Sequence, residues 1–140
     1  MTTYRTASED ATIALGQQLA RQLPARAVVL LIGNLGAGKT TLAKGIASGL
    51  GAATPEEVSS PTFTLIHEYG GGKVYHVDLY RLEEPREAAT LGLDELFDRK
   101  AVVLIEWGER FPQLLPDGHI EIRIRADGND ERIIEVTEIR

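Results

Sequence analysis

The sequence predicts an α/β sandwich on a mixed sheet, parallel at its centre and antiparallel towards its edges. Three observations predict it. Two runs, "AVVLLI" at 27–32 and "AVVLI" at 101–105, are continuously apolar and rich in branched residues, the habit of strands buried on both faces of a parallel sheet. Stretches with helical periodicity accompany them. Two further stretches read as hairpins, which supply antiparallel strands. With 140 residues, 43% of them apolar, the chain is expected to fold as one domain over residues 1–140. No repeat or low-complexity tract interrupts it.

Thr6 and Glu9 fit a capping box, T-x-x-E, opening the first helix. Ala11, Leu15, Leu19 and Leu23 recur every fourth residue, with Ala14 beside them, so this helix is amphipathic and ends near Pro24. Residues 27–32 are the first buried strand. A glycine-rich loop follows, then "KTTLAKGIASGLG", a helix ending around residues 49–51. "SSPTFTLIHEYGGGKVYHVDLYRL" reads as a loop, a strand, a glycine turn and a second strand. In that second strand Val74, His76, Asp78 and Tyr80 share one face, and Tyr75, Val77 and Leu79 the other. "EEPREAATLGLDELF" predicts one or two short helices. Residues 101–105 are the second buried strand, with Glu106 at its end. "RFPQLLP" is a short helix or loop. The tail is a hairpin: Ile120, Ile122 and Ile124 alternate with Glu121, Arg123 and Arg125, and "DGND" turns the chain.

Composition excludes some functions. There is no cysteine, which rules out disulfides, thiolate metal sites and cysteine nucleophiles. The first ten residues lack the basic start and long apolar run of a secretory signal. No apolar run is long enough to span a membrane, so a cytoplasmic location without membrane contact is expected. Net charge is −6, from 21 acids and 15 bases. Nucleic-acid binders carry a basic surface, so any nucleic acid is expected to be held by another protein.

"GNLGAGKTT", residues 33–41, contains G-x-x-x-x-G-K-T with a buried strand before it and a helix after it. Glycines permit positive φ, so successive backbone N–H groups can curl around an anion at the helix N-terminus. A glycine-rich strand-to-helix turn explains the glycines but not the Lys-Thr pair. The loop therefore predicts a P-loop NTPase-like three-layer sandwich. Asn34, Leu35, Gly36, Ala37 and Gly38 cradle phosphate, Lys39 reaches the β- and γ-phosphates, Thr40 ligates Mg2+, and Thr41 approaches the α-phosphate. No Asn is followed by Lys, so the guanine-reading N-K-x-D is absent and ATP is expected.

Phosphoryl transfer needs charge stabilisation and a placed nucleophile. Glu106, after five apolar residues, stands where a carboxylate beside magnesium is expected. Asp78 has two readings: it orients the attacking water or binds magnesium through water, or it is a cap or a salt-bridge partner of Arg81. His76 reads as a hydrogen-bonded structural histidine. In "SSPTFT", Pro61 stiffens the loop; Thr62 or Thr64 senses a γ-phosphate, or the segment is simply a proline turn entering a strand. Trp107, the only tryptophan, reads as a packing residue well placed to report nucleotide binding.

"GNLGAGKTT", "SPTFTLIHEY", "YHVDLYRL", "LGLDELF" and "LIEWGE", in this order, resemble the TsaE (YjeE) family, the bacterial ATPase of tRNA threonylcarbamoyladenosine biosynthesis. The resemblance runs from about Thr6 into the tail. It implies ATP and Mg2+ binding with slow hydrolysis, and partnership with TsaB and TsaD, with tRNA engaged only through those partners. It places Lys39 and Thr40 at the phosphate and magnesium positions, with Thr41 as the neighbouring hydroxyl. Glu106 becomes the magnesium-associated acid and Asp78 the aspartate of the H-x-D strand. Thr62 is the switch-loop threonine, and Trp107 the tryptophan beside the site. Thr6 and Thr12 become possible adenine contacts. Two departures stand out: Asn34 where the family often has Asp, and Gly108 where Pro or Ala often follows E-W. The other function classes open to this loop are a small-molecule kinase and a nucleotide-gated binding module without appreciable hydrolysis.

Overall fold

The computed structural model describes residues 1–61 and 63–139. Along the chain run β1 (Thr2–Thr6), α1 (Glu9–Ala20), β2 (Ala27–Ile32), α2 (Lys39–Gly49), β3 (Ile66–Tyr69), β4 (Val74–Asp78), α3 (Pro85–Ala89), α4 (Leu93–Asp98), β5 (Val102–Glu106), β6 (His119–Ala126) and β7 (Arg132–Ile139). Among the described residues the seven strands form one sheet, ordered β1-β7-β6-β2-β5-β4-β3. β2 pairs in parallel with β5 and β6, and β4 in parallel with β5. The pairs β3–β4, β6–β7 and β1–β7 are antiparallel. The expected mixed sheet is therefore present, with both hairpins at its flanks.

Strand alternation splits the core into two layers. Val29, Leu31, Leu104 and Ile122 face one side, against Leu15 and Leu19 of α1 and Leu42 and Ile46 of α2. Val28, Leu30, Val103 and Ile105 face the other, with Ala88 of α3 and Leu93 and Leu96 of α4. The continuous apolar runs have this cause: each alternate residue serves a different layer. Burying a side chain such as Leu31, fully inaccessible here, contributes about 1.5–3 kcal/mol. β4 divides as its alternation predicts, Val74 to the first layer and Tyr75 and Val77 to the second.

The first helix begins differently from the expectation. Ser8 is its N-cap, and its side chain accepts from the Ala11 N–H. Thr6 instead ends β1, an edge strand paired to β7, and its hydroxyl lies 2.7 Å from that of Thr12. Ser8 sits directly before the acidic first turn Glu9–Asp10, where a cap also meets the helix dipole. Ala14 is exposed and Leu23 lies beyond the helix end. "RFPQLLP" contributes a 3-10 turn at Pro112–Leu114. No helix among the described residues is long and apolar enough to cross a membrane.

This topology gathers the C-terminal ends of β2, β4 and β5 at one edge. Glu106 stands in register with Leu31 of β2 and with Asp78 of β4. Ligands of open α/β sheets bind outside such strand ends.

Candidate functional site

Residues 33–41 leave the end of β2 and open α2. Gly36 (φ 79°) and Gly38 (φ 108°) take left-handed backbone, which L residues adopt only with strain. Gly38 is the N-cap of α2 and provides no side-chain cap, so the first amides of α2 are left for a ligand. Arg132, at the start of β7, braces the loop. Its Nε donates to the Ala37 carbonyl at 2.9 Å, and one terminal nitrogen donates to the carbonyls of Asn129 and Glu131.

The loop walls a cavity of about 340 Å³, lined by Leu35, Gly36, Gly38, Lys39, Thr40 and Thr41 together with Ser60, Asp78, Tyr80, Glu106, Trp107 and Arg132. Three ionisable groups here are almost wholly buried: Lys39, Asp78 and Glu106. The Lys39 ammonium has no hydrogen-bond partner and lies 3.5 Å from the centroid of the Trp107 ring. Burial pushes its pKa below the ordinary lysine value, while Glu106, Glu109 and Asp78 pull the other way. Glu106 Oε2 accepts from the Thr40 hydroxyl at 3.2 Å and lies 2.5 Å from His76 Nε2. Asp78 accepts from the Tyr80 N–H at 2.8 Å and from the Ser60 hydroxyl at 3.1 Å. The capping role foreseen for Asp78 is thus present, and the same carboxylate lines the cavity. Trp107 itself has positive φ, 65°, and its ring meets that of Tyr80 at 5.0 Å between centroids.

An unpaired buried ammonium is costly in water-poor surroundings, and this one faces a cavity beside free helix amides. That combination suits a polyanion. Among the described residues no cluster of three His, Asp or Glu side chains is arranged to hold a metal ion by itself. The Thr40 hydroxyl and the Glu106 carboxylate do suit Mg2+, which takes one or two protein oxygens and completes its shell from phosphate and water.

Most of the residues predicted from sequence meet here: Leu35, Gly36, Gly38, Lys39, Thr40, Thr41, Asp78, Glu106 and Trp107. Asn34 and Ala37 instead line a recess on the other side of the loop, with Ile124, Arg125 and Ala126. Thr62 lies outside the described residues. Thr12 and Thr41 share a small recess with Glu9, Gly38, Asp130 and Arg132, which continues from the loop towards α1. Sequence reading missed Ser60, Tyr80 and Arg132. Tyr80 carried a signal, since it shares the face of Asp78 two residues on. Arg132 carried none: it reaches the loop from a strand 95 residues away.

Comparison with known proteins converges on one group. The family model described as "Threonylcarbamoyl adenosine biosynthesis protein TsaE" matches residues 6–134. The chain is 42% identical over 138 residues to the tRNA threonylcarbamoyladenosine biosynthesis protein TsaE of Bacillus subtilis strain 168, covering 97% of this chain and 85% of that one. It is 42% identical over 127 residues to the protein of the same name from Treponema pallidum, covering 89% and 93%. The crystal structure of Bacillus subtilis YdiB is similar with a TM-score of 0.80 and 36% identity, covering 99% of this chain and 86% of that one.

Proposed function

The chain belongs to the TsaE family, and we propose that in tRNA threonylcarbamoyladenosine biosynthesis it is a Mg2+-dependent ATPase subunit that supports turnover of a TsaB–TsaD complex. Family membership supports the pathway. One observation carries the nucleotide reading: the buried, partnerless Lys39 ammonium faces the cavity formed by a glycine loop and the start of α2. A triphosphate supplies the charge this ammonium lacks.

In this reading the loop amides and Lys39 hold the phosphates in line. Thr40 and Glu106 would hold a magnesium ion, which would supply neutralisation of phosphate charge. Asp78, steadied by the Tyr80 N–H and the Ser60 hydroxyl, orients the attacking water. Trp107 and Tyr80, with ring centroids 5.0 Å apart, form an aromatic wall of the same cavity. The likeness to the TsaE family, rather than the geometry, implies slow turnover alone and faster turnover with partners.

The test follows phosphate from ATP with Mg2+, with and without TsaB and TsaD. Slow release as inorganic phosphate, accelerated by the partners, is the expected result. Glu106→Ala is expected to keep its Mg2+-free nucleotide binding, to lose the Mg2+ gain in affinity, and to lose about 10²-fold or more in hydrolysis, the scale seen when one preorganised charge-stabilising group is removed. Transfer of phosphate to a small acceptor points to a kinase, and no release under any condition points to a binding module; either sinks the ATPase reading.

A further inference from the structure

We propose that His76 is a positioning residue for the site: it donates its Nε2 proton to Glu106 Oε2 and holds that carboxylate against Thr40. The inference rests on the Mg2+–ATP reading above and deepens it. His76 is about 1% exposed and sits on β4, opposite Leu104 of β5 and His67 of β3. It takes no part in lining the cavity, so its chemistry is spent on a neighbour.

The hydrogen-bond inventory decides which ring nitrogen carries the proton. Nε2 lies 2.5 Å from Glu106 Oε2, while Nδ1 is buried without a partner. With the proton on Nε2, the ring donates to the carboxylate and leaves only an unused acceptor at Nδ1. With the proton on Nδ1, a buried donor is orphaned and the Nε2 lone pair confronts a carboxylate oxygen. The second arrangement is the more costly, so the Nε2–H tautomer is assigned.

Two donors then converge on one oxygen: His76 Nε2–H and the Thr40 hydroxyl, 3.2 Å away. With both on Oε2, Glu106 has a fixed direction on a rigid strand. Thr40 gives away its proton and keeps its oxygen lone pairs for a cation. Partners that orient a ligating group from behind typically alter metal affinity about 10–100-fold when removed.

The experiment measures nucleotide affinity through Trp107, the sole tryptophan, using ADP with excess Mg2+ and with EDTA. In the wild-type protein Mg2+ is expected to tighten binding. His76→Leu is expected to retain its EDTA affinity and to lose about tenfold or more of the Mg2+ gain. His76→Gln, whose amide nitrogen replaces Nε2, is expected to restore most of that gain, which a merely space-filling role does not predict. Ring nitrogen NMR of the wild-type protein adds a measurement independent of any variant's folding, with Nε2 protonated and Nδ1 bare. A His76→Leu protein with the full Mg2+ gain, a Gln variant no better than Leu, or an Nδ1–H tautomer overturns the inference while leaving the ATP reading intact. A wild-type protein that binds no nucleotide overturns both.

Discussion

Lys39 is held where a charged side chain is least comfortable. Its ammonium is buried, without a hydrogen-bond partner among the described residues, and lies over the Trp107 ring at the cavity. Burial outweighs the pull of three nearby acids and holds the pKa below the ordinary value, and the cation's place over tryptophan recovers only about 2 kcal/mol. A neutral side chain of similar shape should therefore suit the ligand-free fold better. Lys39→Met is expected to stabilise the free protein by about 1–2 kcal/mol, raising Tm by several degrees, and to abolish ATP binding. Calorimetry without ligand and a fluorescence titration check the two halves; a variant that lost stability, or kept its affinity, would contradict the account. Residues of this kind were legible in advance because their signals are local. The loop spells out Lys39 and Thr40, the apolar run announces Glu106, and alternation puts Asp78 and Tyr80 on one face. The link from His76 to Glu106 was not legible: it joins neighbouring strands 30 residues apart in sequence, and a histidine on a strand looks alike whether it braces a carboxylate or fills space.

Elements meet by shape, and the α1–α2 contact depends on small residues. A Cβ placed on Gly16 would lie 2.7 Å from the Leu42 carbonyl oxygen and 2.8 Å from Gly45 Cα. These are backbone atoms, so the helices themselves must separate to admit a methyl group. α2 is the helix whose N-terminus forms the site, which ties helix spacing to phosphate binding. Gly16→Ala is expected to cost about 1–3 kcal/mol, the usual range for overpacking, although alanine is the better helix former. Chemical denaturation measures it, and an unchanged or raised midpoint would show that the helices have room to yield. At this scale periodicity revealed both helices and both buried strands but not how closely anything packs. It also placed the first helix start at Thr6 when Ser8 caps it. Thr6 was recruited by β7, 126 residues downstream at Arg132, and no local pattern contains that pairing. β1 was missed for the same reason, as a short edge strand that exists because its partner does.

At the scale of the molecule, charge and topology bear on one question: where the RNA of the pathway is gripped. The order β1-β7-β6-β2-β5-β4-β3 was not readable from sequence, because crossovers leave no mark in the segments they join. It sets β6 beside β2, whose end leads into the glycine loop, and β7 next to β6, with Arg132 of β7 bound to the loop carbonyl of Ala37. Nε and one terminal nitrogen of that guanidinium are tied to carbonyls of the chain itself. The balance elsewhere is acidic, −6 overall. Affinity for nucleic acid comes mostly from counterion release, with about 0.7–0.9 of a logarithmic unit of salt slope for each phosphate neutralised. A chain of this charge is expected to add no such contacts. The salt dependence of tRNA binding to the proposed TsaB–TsaD partners should therefore keep its slope when this chain is added, and the chain alone should not retain tRNA near physiological salt. Filter binding across a salt series measures both. A steeper slope in the full assembly would mean that this subunit neutralises phosphates directly, and the division of labour proposed here, with nucleotide on one protein and RNA on the others, would have to be abandoned.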